Sequence, residues 1–200
     1  MNPLAPRLAE LLHRIGAIKF GQFTLKDGRQ SPFYVDLRLL VSDPAVLREV
    51  GHAMLERARA DGLTFDRIAG LPYAGLPIAV AMSLESGVPL IYPRKEIKDY
   101  GTQRQIEGAY AAGERVLVVD DVITSGGAKI EAIAPLRQAE LVAQDVLVLV
   151  DRSADRGAVL QPHGLQLHSV LRVEDLLEPL RRSGAISDAE HAAAQAFLQS

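Results

Sequence analysis

Cysteine is missing from the 200-residue sequence. Without it there is no disulfide framework, no thiolate nucleophile and no cysteine-ligated metal site. No apolar run approaches the about 18 residues of a membrane span, and the N-terminus lacks the basic head and apolar run of a signal peptide. The formal net charge is only −3, with both signs scattered, which gives no surface for wrapping nucleic acid. We therefore expect a cytoplasmic protein with no nucleic-acid and no membrane partner.

The composition is that of an ordinary globular protein, with 48% hydrophobic and 24% charged residues. A chain of 200 residues can bury one substantial core, whereas two equal halves would each be marginally stable. We therefore expect a single domain spanning residues 1–200.

Signals of local structure follow one another along the chain without repeats or linkers. Apolar residues from Leu4 to Ile15 recur at helical spacing and predict a first helix, and an Asp27-Gly28 turn between two extended runs predicts a hairpin. Later, short apolar runs alternate with helical patterns, which predicts parallel strands joined by crossover helices. The runs RVLVVDD and DVLVLVD are typical of central strands, and Pro135 should kink or shorten the helix between them. The predicted class is α/β, with a mostly parallel sheet flanked by helices.

The sharpest feature is the segment VLVVDDVITSGGAK, a buried strand that ends in two acids and enters a helix through a glycine-containing loop. At the carboxyl end of a parallel strand, the chain emerges where open α/β sheets bind ligands. Glycines let backbone N–H groups approach a phosphate, the helix N-terminus favours its charge, and Thr124 and Ser125 add hydroxyl donors. Asp120 and Asp121 would repel a phosphate unless they contact something else, such as sugar hydroxyls. A ribose carrying a 5-phosphate satisfies both requirements.

Two common nucleotide motifs are a poor match to this segment, which fits neither G-x-x-x-x-G-K-[ST] nor G-x-G-x-x-G. The segment resembles the motif of type I phosphoribosyltransferases that binds 5-phosphoribosyl 1-pyrophosphate (PRPP). That motif is an apolar strand, two acids, two more residues and then Thr-[Ser/Ala/Thr]-Gly. The alternative interpretation is a solvated acidic turn before a glycine-rich helix start.

A second segment, YPRKEIKDYGTQRQIEG, carries Arg94, Lys95 and Lys98 within five residues. The polar stretch runs to about Glu114, and a loop of this length in a compact domain is usually functional, often as a lid. Three cations suit a loop that closes over a departing pyrophosphate. Standing alone, such a charge run would more often be a solvated face. Its place one strand before the phosphate loop favours the lid.

Several segments together resemble the orotate phosphoribosyltransferases over about 16–180. RKE-x-KD-x-G is similar to that family's catalytic loop, and KDYGTQRQIEG looks most like the orotate-using domain of eukaryotic bifunctional UMP synthase. FTLKDGRQSPFYVDLR resembles the N-terminal substrate segment, GLPYAGLPIA the pyrophosphate loop, and LVLVDR the strand ending in an orotate-contacting arginine. The resemblance implies the type I phosphoribosyltransferase fold, with an N-terminal hairpin and hood over about 1–40 and a core over about 41–175.

The resemblance also implies roles for individual residues. By this resemblance, the residues of the chain that bind orotate are Tyr34, Val35, Thr124 and Arg152. The catalytic residues that it implies, all on the lid, are Arg94, Lys95, Lys98 and Tyr100. The PRPP-binding residues that it implies are Lys26, Tyr73, Ala74, Arg94, Lys95, Lys98, Asp120, Asp121, Val122, Ile123, Thr124, Ser125, Gly126, Gly127 and Ala128. Two positions depart from the pattern, because many bacterial members have His in place of Tyr100 and Lys in place of Ala74.

The implied reaction transfers the 5-phosphoribosyl group of PRPP to orotate, giving orotidine 5′-phosphate and pyrophosphate in de novo pyrimidine (UMP) biosynthesis. Magnesium is expected as the cofactor, carried by PRPP and not by a metal site of the protein. The five histidines show no i, i+4 pairing that would predict such a site. The family resemblance further implies a homodimer with shared active sites, in which each lid acts on the neighbouring subunit.

Two alternative functions stay open. A purine-type phosphoribosyltransferase would share the phosphate loop but would not require the RKEIKD segment or Arg152. A PRPP-sensing transcription regulator could keep the loop without catalysis, although the net charge of −3 argues against it. A bifunctional UMP synthase is not expected, because nothing follows Ser200 to form a decarboxylase domain, which we expect on another chain.

Overall fold

The computed structural model describes residues 4–25, 28–95 and 105–199. They belong to two compact units, one formed by Met1–Val46 with Leu171–Ser200 and the other by Leu47–Val170. The α-helices are α1 (Ala5–Arg14), α2 (Pro44–Ala60), α3 (Gly75–Ser86), α4 (Gly127–Gln138), α5 (Leu177–Arg182) and α6 (Asp188–Leu198). The strands are β1 (Ile18–Thr24), β2 (Gln30–Val35), β3 (Arg67–Gly70), β4 (Leu90–Pro93), β5 (Ile106–Glu107), β6 (Arg115–Ile123), β7 (Val142–Asp151) and β8 (Gln166–Arg172). The assignment of residues 1–200 to a single domain stays a prediction.

The first unit contains the predicted N-terminal helix and hairpin. Strands β1 and β2 pair antiparallel, with Ile18 opposite Val35, and α1 precedes them. The ring of Phe33 is buried and meets the ring of Phe197 of α6 edge-on, at 5.9 Å between centroids. Helix α6 begins with a capping box, because Ser187 Oγ accepts a hydrogen bond from the Glu190 N–H at 3.2 Å. The predicted first helix and hairpin are confirmed.

The second unit holds a six-stranded sheet in the order β5-β4-β3-β6-β7-β8. Strand β3 pairs in parallel with β4 and β6, β6 pairs in parallel with β7, and β5 is antiparallel to β4. Consecutive residues of β6, such as Leu117 and Val118, are both at most 1% exposed although they point to opposite faces. Both faces of the central strands are therefore covered, and the predicted α/β class with a mostly parallel sheet is confirmed.

Helix α4 does not end at Pro135, so the predicted shortening is wrong, and the alternative expectation of a kink stays a prediction. The helix continues to Gln138. Proline removes one intrahelical hydrogen bond. Ile133 and Leu136, on either side of it, are buried in the core that α4 shares with β6 and β7. Their burial holds the last turn in place despite the missing bond.

His168 of β8 is buried between two carboxylates of the second unit, although no sequence pattern indicates a special role for it. Its Nδ1 lies 2.7 Å from Asp61 Oδ2, and its Nε2 lies 2.9 Å from Asp145 Oδ1. Asp61 also accepts a hydrogen bond from Arg57 at 2.8 Å. These contacts join the end of α2 to strands β7 and β8. Among the described residues, no helix is long and apolar enough to cross a membrane.

Candidate active site

The parallel strands of the second unit all end at the same edge of the sheet, here called the carboxyl edge. Open α/β sheets bind ligands at this edge. The segments that leave it are the turn Pro72-Tyr73-Ala74 after β3, Arg94 and Lys95 after β4, the loop from Thr124 after β6, and Arg152 after β7. The structure thus places these predicted site residues, together with Asp120 and Asp121 of β6, at one edge.

Asp120 and Asp121 differ in their surroundings although they are neighbours on β6. Asp120 is only 7% exposed and forms an ion pair through Oδ2 with the Nζ of Lys129, a residue that is itself 8% exposed. The other oxygen of Asp120 accepts the Asp121 N–H at 2.8 Å. The carboxylate of Asp121 is half-buried and accepts the Val122 N–H at 2.8 Å. Asp120 is therefore the inner acid and Asp121 the outer one.

Burial of the outer acid raises the pKa of Asp121 to about 7, and the charge of Asp120 and its hydrogen bond act in the same direction. The charge of Lys129 and the Val122 N–H lower this pKa, but they do not outweigh the other causes. Close to neutral pH, Asp121 is therefore present in both its neutral and its ionised form. This arrangement is suited to an anionic ligand that also offers hydroxyl groups.

The loop after β6, predicted from the sequence to bind a phosphate, leads into the N-terminus of α4. Thr124 and Ser125 are exposed, and Gly126 adopts a positive φ of 76° immediately before α4. A side chain at Gly126 would also collide with Val159, because its Cβ would lie 2.6 Å from Val159 Cγ1. The loop delivers the first N–H groups of α4, which have no intrahelical partner, to the carboxyl edge. Ile123 is 1% exposed, so it can reach a ligand only through its backbone.

The turn after β3 approaches the acids closely. Gly75 begins α3, and a Cβ at this position would lie 2.7 Å from both Asp120 Cα and Asp120 Oδ1. The Leu71 N–H donates to the Val119 carbonyl at 2.9 Å, which ties the start of the turn to β6. The Tyr73 side chain is 63% exposed at the edge. Only glycine at position 75 allows the turn to lie against the inner acid.

The base of the predicted lid is formed by β4 and β5. The Arg94 N–H donates to the Gln105 carbonyl at 2.7 Å, and Arg94 Nε forms an ion pair with Glu107 at 2.5 Å. Lys95 Nζ lies 5.0 Å from the centre of the Tyr73 ring, within cation–π range. The two cations at the lid base are thus near the turn after β3. The predicted lid residues Lys98 and Tyr100 lie outside the described residues.

A cleft of about 420 Å³ opens beside these groups, which is within the usual size range for small-molecule sites. It lies between the lid base, the turn after β3 and one face of α4. Its lining residues are Pro72, Pro93, Arg94, Lys95, Gln105, Ala128, Glu131, Ala132 and Pro135.

The residues predicted to bind orotate fall in both units. Arg152 follows β7, and its N–H donates to the Ile123 carbonyl at 2.9 Å, so the arginine starts beside the phosphate loop. Tyr34 and Val35 belong to β2 of the first unit, where the Tyr34 ring stacks on Phe23 at 5.6 Å between centroids. Lys26 lies outside the described residues. The roles of these residues stay predictions.

The donor set at the edge fits a magnesium ion carried by its substrate better than one caged by protein. In the described parts of the chain, no group of three or more His, Asp or Glu side chains could hold a metal ion. Asp120 is already paired with Lys129, and Asp121 has a raised pKa. Magnesium commonly keeps several waters and binds through substrate phosphates.

The sequence pattern did not single out three residues that the structure places at the site. Lys129 ends the phosphate-loop segment, yet its pairing with Asp120 depends on the first turn of α4 folding back over β6. Glu107 reaches Arg94 across the β4–β5 pair, and Gly75 packs on Asp120. A lysine and a glutamate in a polar stretch usually indicate solvated surface, so only the fold reveals these contacts.

Comparison with known proteins identifies the family to which the chain is similar. Residues 40–162 match the family model described as a phosphoribosyl transferase domain. The chain is 38% identical over 161 residues to the orotate phosphoribosyltransferase of Pyrococcus furiosus, covering 80% of this chain and 88% of that protein. It is 37% identical over 188 residues to uridine 5′-monophosphate synthase of Bos taurus, covering 94% of this chain and 39% of that protein.

Among solved structures, UMP synthase of Leishmania donovani superposes with a TM-score of 0.89 at 42% identity, covering 99% of this chain and 43% of that chain. The chain thus spans about two fifths of the length of such longer relatives. By contrast, it corresponds to nearly the whole of the shorter Pyrococcus protein.

Proposed function

The chain belongs to the phosphoribosyl transferase family, among its orotate phosphoribosyltransferases, and from that membership we propose that it transfers the 5-phosphoribosyl group of PRPP to orotate. The products are orotidine 5′-phosphate and pyrophosphate, and the reaction belongs to de novo pyrimidine biosynthesis. The observation that carries the proposal is the convergence of the phosphate loop, the outer acid and the lid base at the carboxyl edge.

The geometry supports a division of labour in binding PRPP. The exposed hydroxyls of Thr124 and Ser125, with the N-terminus of α4, bind the 5-phosphate. The half-buried carboxyl of Asp121 meets the ribose hydroxyls. Tyr73, Arg94 and Lys95 lie where the pyrophosphate leaves. Arg152, at the end of β7, pairs with the planar, anionic orotate through the rigid fork of its guanidinium.

The chemical step is a displacement at the anomeric carbon of ribose. A ring nitrogen of orotate forms the new bond to that carbon, and the bond to the pyrophosphate oxygen breaks, so the electron pair leaves with pyrophosphate. The transition state has oxocarbenium character. The protein positions both substrates, excludes water and offsets charge on the leaving group, because lid cations are worth most where charge develops.

Magnesium would enter this site together with PRPP, which would carry it. When bound, it would neutralise part of the pyrophosphate charge. No residue of this chain is assigned to it as a ligand. Arg94 and Lys95 would still be needed, since they approach the leaving group from the lid side.

The function is tested by the fall in orotate absorbance after PRPP and magnesium are added. We expect the loss to require all three components and to be matched by pyrophosphate release. Adenine, hypoxanthine and uracil serve as alternative acceptors. Turnover of a purine without turnover of orotate would assign the site to the purine branch of the family. Specific binding to operator DNA with no turnover of any base would favour a PRPP-sensing regulator.

We further propose a homodimer with shared active sites, in which the lid of one subunit, including Lys98 and Tyr100, serves the other. An apolar strip on α3 supports association, since Leu84 is 82% exposed and Val80, one turn earlier, is 38% exposed. The expected result is a dimer in dilute sedimentation, and Leu84→Glu should weaken it. A wild-type monomer with full activity would contradict the shared site.

A cytoplasmic location, without nucleic-acid or membrane partners, completes the proposal. The cysteine-free composition fits a reducing compartment, and the net charge of −3 gives no footprint for nucleic acid. Fractionation of cells that express the chain would place it in the soluble cytoplasmic fraction, and recovery with membranes would contradict this.

A further inference from the structure

Lys129 is a buried lysine on the first turn of α4, with a relative exposure of 8%. Lysines are almost never fully buried unless they are paired, because an ammonium group loses strong hydration when it leaves water. The partner here is Asp120, which is 7% exposed and accepts a hydrogen bond from Lys129 Nζ through Oδ2. The pair links the phosphate-binding helix to the central strand within the site itself.

The inner acid is fixed on more than one side. Besides the Lys129 contact at Oδ2, Asp120 Oδ1 accepts the Asp121 N–H at 2.8 Å. The start of α3 lies against the same oxygen, since a Cβ at Gly75 would be 2.7 Å from Oδ1. Asp120 therefore has no oxygen turned freely toward the edge, whereas the carboxyl of Asp121 is only half-buried.

The charge at this point bears directly on PRPP, which is a polyanion. Two ionised carboxylates side by side would repel it, and in a partly buried site the repulsion is weakly screened. The ammonium of Lys129 cancels the charge of Asp120. Asp121, the outer acid, is then the member of this group whose charge acts on a ligand.

A purely structural role is a weak explanation for this pair. Buried ion pairs often stabilise a fold no better than apolar residues of similar volume would, because desolvation offsets the attraction. If stability alone were at issue, an apolar pair would serve at positions 120 and 129. The pair lies between the strand end and the phosphate loop, and an apolar pair at this location would not supply its two charges.

We propose that Lys129 is a positioning residue for PRPP binding: it neutralises Asp120, fixes that carboxylate inward, and leaves Asp121 as the acid presented to the ribose. The inference rests on the proposed function, since it assumes that PRPP is the ligand of the edge. Lys129 touches Asp120 and acts through it.

The test is Lys129→Met, a substitution that keeps length and apolar volume but removes the charge. We expect KM for PRPP to rise at least about tenfold, with kcat within about threefold of wild type, because ground-state binding of the polyanion is lost. KM for orotate should change little. A change of PRPP KM of less than threefold would overturn the inference.

Lys129→Met is also tested in a second background, so that the inference can be decided even if the single variant folds poorly. In an Asp120→Asn background, position 120 carries no charge for Lys129 to neutralise, so Lys129→Met should change PRPP KM by less than about threefold. An undiminished tenfold effect in that background would contradict action through Asp120. Ile133→Ala is the stability control, because Ile133 is buried on the same helix at 1% exposure and bears no charge. A rise in PRPP KM for this control equal to that of Lys129→Met would reduce Lys129 to a structural role.

Calorimetric titration of PRPP with magnesium, without any base, separates this inference from the proposed function. If wild type binds PRPP but does not consume orotate, the base assignment fails while the effect of Lys129→Met on Kd still decides the inference. If wild type does not bind PRPP, both are overturned. Binding by wild type with a Kd at least about tenfold higher for Lys129→Met supports the inference whichever base is used.

Discussion

The two edges of the central sheet arrange their charged residues in different ways. At the amino edge, Asp66 accepts hydrogen bonds from the Arg115 N–H at 2.9 Å and from Arg115 Nη2 at 3.0 Å. Beside it, Arg67 pairs with Glu114 at 2.7 Å. At the carboxyl edge, Asp120 pairs with Lys129, and Asp121 has no ion-pair partner among the residues that the structure describes.

The pKa values of the two edges shift in opposite directions. The Arg115 side chain and N–H lower the pKa of Asp66 to about 2, whereas burial and Asp120 raise the pKa of Asp121 to about 7. The amino edge thus pairs its charges within the protein, whereas the outer acid of the carboxyl edge is unpaired among the described residues. Sites of this kind commonly exchange stability for function.

The largest effect is expected for Asp121→Asn, and it has opposite signs for activity and stability. We expect kcat/KM for PRPP to fall at least about 100-fold, because the acid presented to the ribose is lost. Stability should rise at pH 8. The folded-state pKa of about 7 lies above the ordinary value of 3.8, so wild type progressively loses stability as pH rises between those values.

The stabilisation by Asp121→Asn should therefore be small at pH 4, grow toward pH 7 and then level off. Its upper limit is about 4 kcal/mol, at about 1.4 kcal/mol for each pH unit between the two pKa values. Urea unfolding at pH 5 and pH 8 measures it. A variant that is equally active, or that loses stability at pH 8, would contradict the contrast between the edges.

Gly75→Ala should have the next largest effect. The added methyl would lie 2.7 Å from Asp120 Cα and Oδ1, so the turn or the inner acid must move. We expect a loss of about 1–3 kcal/mol in unfolding free energy, as for overpacking elsewhere, with kcat/KM about tenfold lower. Gly51→Ala is the matched control, because its Cβ would crowd Ala81 at 2.9 Å, between α2 and α3. The control should lose stability and keep kcat/KM. Equal activity losses in both variants would contradict a specific role in activity for the close approach of Gly75 to Asp120.

Glu107→Gln and Glu114→Gln together compare one ion pair from each edge. Glu107→Gln weakens the ion pair that holds Arg94 at the lid base, and KM for PRPP should change by about two- to fivefold, measured by initial rates. Glu114→Gln removes the equivalent partner of Arg67 at the amino edge and should leave both kcat and KM unchanged. If the two variants behave alike in the rate assay, the Arg94 pair has no part in ligand binding.

Asp66→Asn should have the smallest effect, confined to stability. Because the folded-state pKa is lowered to about 2, the contribution of Asp66 is present above its ordinary pKa near 4 and is lost as pH falls toward 2. Wild type and variant should therefore converge in thermal unfolding at low pH and differ slightly at pH 7, with identical rates of orotate consumption. A loss of activity would show that the amino edge is not independent of the site.

Much of the fold was predictable because its signals are local. The apolar periodicity of α1, the Asp27-Gly28 turn and the continuously apolar runs of β6 and β7 depend on neighbouring residues only. The predicted shortening of α4 at Pro135 was wrong because the effect of this proline depended on burial of Ile133 and Leu136 against distant strands. A local rule gives the tendency of a residue, and the packing decides whether the tendency prevails.

The candidate site was predictable as far as it lies in one segment. The loop from Asp120 to Ala128 is contiguous, and the chemistry of acids, glycines and hydroxyls can be read directly from it. The contacts of Lys129, Gly75 and Glu107 depend on how α4, α3 and β5 pack at the carboxyl edge. No spacing in the sequence encodes that packing, so the division into an inner and an outer acid required the structure.

Hydrogen–deuterium exchange with and without PRPP and magnesium tests the contrast between the edges most directly. Peptides that cover residues 120–130 of the carboxyl edge should become protected on addition of PRPP. Peptides that cover residues 111–116 of the amino edge should be unchanged. Protection of the amino edge alone, or no protection of residues 120–130 at saturating PRPP, would contradict the assignment of the carboxyl edge as the PRPP site.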